Sequence, residues 1–411
     1  LSIAITIAKR IAFNKQQSFS RFIIRLSVAA TALSVAAMII TLAFVNGFQK
    51  TVSEKVFSFW GHVRVQHFQN ARSLISEETP ISKNDTVLRI ITQQNGFKKV
   101  QAFATKSAVI EKNKEIEGVL FKGVEADYDS TKFKTFLKQG RWLQFTDSNY
   151  SKEIMVSQPI AKALQIAVND TIRINFVSSN ASIANASRKL IVAGIFNTGI
   201  EEYDKVFAIG DIRLIQRLNN WQPNQIGGYE IFINNYLQMA AFSSGLSDNL
   251  PTEWLSRTIK ETYSNIFDWL GVQDTNKYVV FAVMSIVAVI NLITCLLILV
   301  LERTRMVGIL KALGTNNWQV QQIFLYYASL ISLSGIGIGF VVGVGLCLLQ
   351  QQTHFIHLDE SLYYVPYAPI DIIWWQVVLV CVITAFVCFL ALLIPTIIVK
   401  KIQPVKAIQF R

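Results

Sequence analysis

Cysteine is scarce, and its four copies, Cys295, Cys347, Cys381 and Cys388, all fall inside long apolar runs. The hydrophilic middle of the chain has none, which excludes a disulfide framework or a cysteine metal site there. Cysteines in apolar runs act as small packing residues. Histidine is equally rare: His62, His67, His354 and His357. No His-Glu-x-x-His occurs, and no carboxylate pair brackets any histidine as a metal site requires. His354 and His357, three apart at the end of an apolar run, read as interfacial polar residues. There is no phosphate loop. Gly118 and Gly123 have its glycine spacing, but Val124 stands where the lysine must be. Leu333, Ser334 and Gly335 echo an ATPase signature inside an apolar run, where nucleotide cannot reach. No Gly-x-Ser-x-Gly elbow is present. The expectation is a chain with no catalytic residues, no metal and no cofactor of its own.

Charge is the other shortage. Only 16% of residues are charged, while 52% are hydrophobic; a soluble domain carries about 25% charged residues. The apolar excess is concentrated in four blocks, Leu26 to Val45, Tyr278 to Leu301, Ile323 to Leu349 and Trp374 to Val399. About 20 helical residues cross the hydrocarbon core of a bilayer, and in lipid the backbone must satisfy its own hydrogen bonds, so each block is expected to be a membrane helix. The first block is too long for the apolar core of a cleaved leader. Asn46, Gly47 and Phe48 follow it instead of a small-x-small cleavage site.

Charge also sets the expected orientation. Lys9, Arg10, Lys15, Arg21 and Arg25 precede the first block; Arg303, Arg305 and Lys311, with Glu302, lie between the second and third; Lys400, Lys401, Lys406 and Arg411 follow the fourth. These three pieces hold eleven of the twelve net positive charges. The stretch from Gln350 to Ile373 has no Lys or Arg, only Asp359, Glu360 and Asp371 as charges. By the positive-inside rule both termini and the 302–322 loop are cytoplasmic, while the middle domain and the 350–373 loop lie outside. The basicity then reflects topology and contact with anionic lipid, not nucleic-acid binding.

The expected layout follows. Residues 1–22 form an interfacial amphipathic segment, and 23–48 the first span. Residues 49–276 form an external mixed α/β domain of two subdomains. Residues 277–301 are the second span, 302–322 a cytoplasmic segment, 323–349 the third span, 350–373 an outer loop, 374–399 the fourth span and 400–411 a tail. In the external domain, HVRVQHF, EGVLFKGV, TIRINFV, KLIVAGIF, KVFAIG and GYEIFIN read as strands. Ala161 to Val168 reads as a short helix, as does the face Ile212, Leu214, Ile215 and Leu218. Residues 254–275 read as a helix leading into the second span.

Two features lie outside that domain. Gly335, Gly339 and Gly343 recur every four residues, a spacing that lets two helix backbones approach closely. In the cytoplasmic segment, Glu302, Arg303 and Arg305 precede an apolar face of Met306, Ile309, Leu310 and Leu313, and Gly314 follows as a helix C-terminal cap would. A short amphipathic helix on a cytoplasmic loop suits docking to another protein, and a chain with no motor can borrow one.

At this point the chain resembles the permease subunits of the lipoprotein-releasing (Lol) ABC transporters, within the wider family of macrolide-exporter and cell-division permeases. The resemblance rests on NGF (Asn46 to Phe48), KQGRWL (Lys138 to Leu143), PIAKALQIAVNDTIRINF (Pro159 to Phe176) and VAGIFNTGIEEYDKVFA (Val192 to Ala208). It extends through ERTRMVGILKALG (Glu302 to Gly314), LDESLYYVPYAP (Leu358 to Pro369) and IPTIIVKKIQPVKAI (Ile394 to Ile408). The Glu302–Gly314 segment marks the wide family. EYD and the LYYVPYAP loop narrow it to the lipoprotein-releasing branch.

The resemblance implies a bacterial inner-membrane, multi-pass permease. It pairs with a second permease, identical or paralogous, and with a cytoplasmic ABC ATPase that binds ATP and magnesium. It implies coupling contacts at Glu302, Arg303, Arg305, Met306, Gly308, Leu310, Lys311, Leu313 and Gly314. It implies a lipoprotein substrate, met by Phe44, Phe48, Tyr363 and Tyr364, and a periplasmic lipoprotein chaperone as acceptor. In some family members an external hairpin hooks that chaperone. Its counterpart, Val177 to Arg188, would offer Ser178, Ser179, Asn180 and Ile183, but it lacks proline and has little apolar character. The rival readings are a mechanotransmission permease that drives an external partner without moving lipid, and a sensor receptor. The sensor lacks a cytoplasmic output domain.

Overall fold

The computed structural model describes residues 18–68, 79–131, 133–146, 149–177 and 187–400. They fall into two compact units. One comprises residues Leu1–Lys50, Trp269–His357 and Tyr367–Arg411; the other comprises Thr51–Asp268 and Leu358–Pro366.

The first unit is helical. Its elements are α1 (Ser18–Trp60, whose last residues belong to the second unit), α2 (Ser264–Glu302), α3 (Thr304–Ala312), α4 (Asn317–Thr353) and α5 (Trp374–Lys400). Among the described residues α1, α2, α4 and α5 are long and apolar enough to cross a membrane. The glycine stripe of α4 lies against α1. A Cβ on Gly335 would stand 2.8 Å from Thr31 Cβ, one on Gly339 2.6 Å from the Ala32 carbonyl, and one on Gly343 3.1 Å from Ala36 Cα. Gly337 and Gly345, between them in sequence, would meet nothing within 4 Å. The four-residue spacing is thus a helix contact that only glycine permits. Around it Val35, Met38, Ile39 and Leu42 of α1 bury against Ile336, Val344 and Cys347 of α4 and Val377 and Val380 of α5.

The second unit is a mixed α/β domain. Its strands are β1 (Val63–His67), β2 (Ile81–Ser82), β3 (Phe97–Lys112), β4 (Glu115–Val124), β5 (Leu137–Gly140) and β6 (Glu153–Ser157). They continue with β7 (Thr171–Phe176), β8 (Ser187–Phe196), β9 (Phe207–Asp211), β10 (Gln225–Ile226), β11 (Gly228–Ile233) and β12 (Trp254–Thr258). One ten-stranded sheet runs β12-β1-β11-β3-β4-β9-β6-β8-β5, with β7 pairing β3 and β8; β10 and β2 form a separate ribbon. The sixteen-residue β3 pairs β11 along its first half and β4 and β7 further on. Both halves of the domain therefore share a sheet. The helix Ile212–Leu218 covers one face of β4, where a Cβ on Gly123 would stand 2.6 Å from Ile212 Cα.

Two local expectations are corrected. Residues 254–258 form β12, because pairing with β1 from Trp254↔His67 to Thr258↔Val63 overrides their helical pattern. A Thr258–Glu261 capping box then starts a short helix, and α2 begins at Ser264, so the rest of that segment is helical and runs on toward 277 as expected. The helix expected over 161–168 is Gln158–Ala163, started by the Ser157 cap with proline in its first turn and closed before Gln165, which has φ +50°.

Candidate functional site

The NGF motif sits where α1 nears the end of the first unit, and each of its residues has a separate task. Asn46 donates from Nδ2 to Gln376 Oε1 at 2.6 Å, reaching α5. Gly47 lies under the chain at 369–371: an added Cβ would stand 2.5 Å from the Pro369 carbonyl and 2.7 Å from the Asp371 nitrogen. That approach lets the Asp371 N–H bond the Ala43 carbonyl at 3.0 Å. Phe48, 2% exposed, meets Trp269 edge-on at 5.3 Å and Phe44 at 5.7 Å. Lys50 closes the collar with a 3.2 Å ion pair to Asp371. Of the two phenylalanines expected to touch substrate, Phe48 is therefore a core residue and Phe44 is half-buried.

A second cluster lies within the α/β unit, where two distant segments converge on Lys55 of α1. Its Nζ donates to the Tyr364 carbonyl at 2.6 Å and stands 3.6 Å from Glu360 Oε1. The Tyr364 hydroxyl donates in turn to Glu202 at 3.0 Å. Gly199, at φ +74°, passes between them: a Cβ there would stand 2.4 Å from Glu360 Oε1 and 2.7 Å from Lys55 Nζ. A side chain there is strained at that backbone angle, and its Cβ would push the ends of Glu360 and Lys55 aside. The EYD motif, a short helix at Glu201–Asp204, divides its side chains accordingly. Glu202 faces the loop. Tyr203 is buried on Phe59 of α1, 5.0 Å away and stacked. Asp204 turns inward to accept from the Thr198 N–H at 3.0 Å, the Thr198 hydroxyl at 2.9 Å and the Gly199 N–H at 2.9 Å.

Electrostatics match this geometry. Burial lowers the pKa of Lys55 against the pull of Glu360 and Asp204. Burial and the neighbouring Glu202 push Tyr364 up to about 12, so it remains a hydrogen-bond donor at any working pH. Burial also raises Asp204, opposed by its Thr198 and Gly199 donors and by Lys55. The two segments that mark the lipoprotein-releasing branch, EYD and LYY, thus meet each other. Lys55, which joins them, was not singled out from sequence; its only signal was a basic residue in the helical continuation beyond the first span. Tyr363, the other candidate in this loop, is exposed. Phe44 and Phe48 belong to the helical unit, and Tyr363 and Tyr364 to the α/β unit.

The 302–322 segment forms α3 as expected, but its buried face is different. Val307 and Gly308 are buried, and Val307 joins Val300, Val320 and Phe324 in a core cluster that Met306 flanks. Ile309 and Leu313 are exposed, Leu313 by 78%, as is Trp318 at the start of α4. Leu310 and Lys311 are half-buried, Glu302 and Arg305 exposed, and Arg303 is the residue before the helix. Gly314, at φ +87°, follows in the left-handed conformation expected of a C-terminal cap. The hairpin candidates Ser178, Ser179, Asn180 and Ile183 lie outside the described residues. Their flanking strands β7 and β8 pair antiparallel from Thr171↔Ile191 to Asn175↔Ser187. The 1–17 segment and the tail beyond Lys400 also lie outside the described residues.

Residues 26–236 match the MacB-like periplasmic core domain, and residues 278–404 match the FtsX-like permease C-terminal region. Similar relatives span the whole chain. The lipoprotein-releasing system transmembrane protein LolE of Haemophilus influenzae is 22% identical over 94% of this chain and 94% of its own length. The corresponding LolC of Neisseria meningitidis is 23% identical over 96% of each. Among solved structures, the periplasmic region of MacB from Actinobacillus actinomycetemcomitans matches 49% of this chain and 92% of its own at 14% identity, with a TM-score of 0.32. The chain belongs to the family of permeases built from a MacB-like periplasmic core domain and an FtsX-like C-terminal region, and its full-length curated relatives include transmembrane proteins of lipoprotein-releasing systems.

Proposed function

We propose that this chain is the permease subunit of a Lol-type ABC transporter, taking lipoproteins from the outer leaflet of the bacterial inner membrane and passing them to a periplasmic chaperone. The observation that carries the reading is the full-length likeness to LolE and LolC, with apolar helices on either side of the α/β domain. Burying each CH₂ of an acyl chain is worth about 0.8 kcal/mol, so extraction needs a motor, and the chain has no nucleotide-binding motif. The motor is a separate ATPase that holds ATP and magnesium and docks on α3 and its surroundings. Ile309, Leu313 and Trp318 support that surface, being large apolar side chains left uncovered. A second permease, identical or paralogous, completes the transporter.

The chain's residues have two tasks in this scheme. On the cytoplasmic side, α3 receives the motor. In the periplasm, the Lys55–Glu360–Tyr364–Glu202 cluster fixes the outer loop to the α/β domain, leaving Tyr363 exposed for the substrate, with Phe44 as the candidate in the helical unit. Co-purification from detergent tests the reading. A triacylated lipoprotein is expected to be retained by the permease–ATPase complex and its unacylated form is not. Equal retention of both, or of neither, would replace lipoprotein extraction with mechanotransmission to a periplasmic partner.

A further inference from the structure

The chain doubles back as soon as α4 ends. His354 follows the helix in the left-handed conformation, φ +50°, and its N–H bonds the Gln350 carbonyl at 2.9 Å. The return brings Ile356 beside Gln350, which lies about 4.5 Å short of the helix end at the helical rise. Gln350 is 3% exposed, and its side-chain amide binds the backbone of the returning chain. Its Oε1 accepts from the Ile356 N–H at 3.0 Å. Its Nε2 donates to the Ala368 carbonyl at 3.0 Å and to the Ile356 carbonyl at 3.3 Å. The Ala368 N–H bonds the Ile356 carbonyl at 3.0 Å, and His357 pairs with Tyr367 in an isolated antiparallel bridge. The rings of His354 and Tyr367 lie 4.0 Å apart. Residues 354–357 and 367–368 thus form a small hairpin stapled to α4 by one buried amide.

What the staple presents is apolar. Phe355 is 54% exposed and Ile356 45%, and Tyr367 is exposed as well. Leu349 at the end of the α4 apolar block is exposed, and so are Trp374 and Trp375, the first residues of α5. Large apolar side chains left uncovered together mark an interaction surface. Their place in the chain points to the partner. The hairpin joins two helices that are each long and apolar enough to cross a membrane. Tryptophan and tyrosine gather where such helices leave the hydrocarbon. Backbone at that depth must find its hydrogen bonds inside the protein. The Gln350 amide meets this demand for Ile356, on both its N–H and its carbonyl.

We propose that this hairpin is a lipid-binding surface that seats Phe355 and Ile356 in phospholipid, at the boundary between headgroups and acyl chains, and that Gln350 is the positioning residue that holds it there. The surface depends on α4 and α5 crossing the bilayer, and not on what the transporter carries.

The test uses the complete transporter, with its ATPase, in phosphatidylcholine–phosphatidylglycerol vesicles. Phe355→Cys carries a nitrobenzoxadiazole fluorophore. Glu115→Cys, at an exposed position of the α/β unit, carries the same label as an aqueous reference. The unsubstituted chain, treated alike, gives the background from its own four cysteines. Phospholipid brominated near the top of its acyl chains is expected to quench the label at 355 about twofold and leave the label at 115 unchanged. Iodide in the buffer is expected to do the reverse. Adding Gln350→Leu removes the staple, and quenching by brominated lipid at 355 is expected to fall by about half. A label at 355 that iodide reaches and brominated lipid does not would overturn the lipid surface. A label shielded from both would mean that protein covers this face, a second permease or a bound substrate, and would overturn it equally. Unchanged lipid quenching in the Gln350→Leu background would overturn the role of the staple. If that variant does not assemble, the label is moved to Ile356→Cys with Gln350 intact. Lipid quenching is expected there too, and iodide access would overturn the seating of the hairpin.

Discussion

The Tyr364 hydroxyl donates to the Glu202 carboxylate at 3.0 Å, across 162 residues of sequence. This bond joins the loop between α4 and α5 to the EYD motif, and Lys55 of α1 holds the same loop from its backbone side at 2.6 Å. Tyr364→Phe removes one partly exposed hydrogen bond and is expected to cost about 1 kcal/mol at most. Lys55→Met leaves Glu360 and a backbone carbonyl without their cation and is expected to cost more. Limited proteolysis within 358–366 should rise slightly in the first variant and clearly in the second. Equal protection in both would mean that the loop is held by other contacts.

Gly199 supplies a sharper test of the same cluster. Gly199→Ala forces a Cβ into Glu360 Oε1 and Lys55 Nζ, at a backbone angle L-residues rarely adopt. The expected loss is about 2 kcal/mol from strain and displaced charges together. It would be read as a lower melting temperature; an unchanged value would remove Gly199 from the account.

Gly339 and Gly337 form a paired experiment in the membrane unit. Gly339→Leu must separate α4 from α1, because even a Cβ would stand 2.6 Å from the Ala32 carbonyl, whereas Gly337 faces open space. Overpacking of this kind costs about 1–3 kcal/mol. Complex assembly in detergent should fail or weaken for Gly339→Leu and survive Gly337→Leu.

The root of the β7–β8 hairpin has a defined pH dependence. Asp170 accepts from Lys112 and from the Ala167 N–H at 2.8 Å, and these bonds hold its carboxyl below the ordinary value of 3.8. A carboxyl lowered in the folded state contributes stability at pH above 3.8 and loses it as pH falls through the folded value. Asp170→Asn should therefore melt below wild type at pH 7, with the gap closing as pH drops beneath 3.8. A gap that widens on acidification would contradict the assignment.

The substrate candidates separate by burial. Phe48→Ala empties a core position against Trp269 and should cost about 3–5 kcal/mol, so any loss of transport there is a folding effect. Phe44→Ala and Tyr363→Ala should leave the melting temperature within about 1 kcal/mol of wild type while reducing release. Unchanged release in both would withdraw them as contacts.

The four long apolar helices were legible because a twenty-residue apolar run has few alternatives, and the glycine stripe because its period matches a helix face. The strands that alternate cleanly, such as those carrying Val63 and Val65, were legible too. The β12 segment was misread as helix because its pairing with β1 joins residues nearly two hundred apart, a constraint no local pattern carries. The EYD and LYY motifs were visible separately. Their contact through Lys55 was not, since nothing in the spacing of Lys55, Glu202 and Tyr364 encodes proximity. Phe48 looked like a surface aromatic because Trp269, which buries it, follows more than two hundred residues later. The outward direction of Ile309 and Leu313 depended on Val307 meeting Val320 and Phe324, again a tertiary fact.

The most direct test of the central claim is ATP-dependent release of a labelled, acylated lipoprotein from proteoliposomes. These would contain this permease, its ATPase, any paralogous permease and a periplasmic chaperone as acceptor. Wild type is compared with Ile309→Asp/Leu313→Asp, which places charge on the uncovered face of α3 without touching buried Val307. The account expects release by wild type and its loss in the variant, with the membrane unit still folded. Sustained ATP hydrolysis with no release by wild type would contradict it.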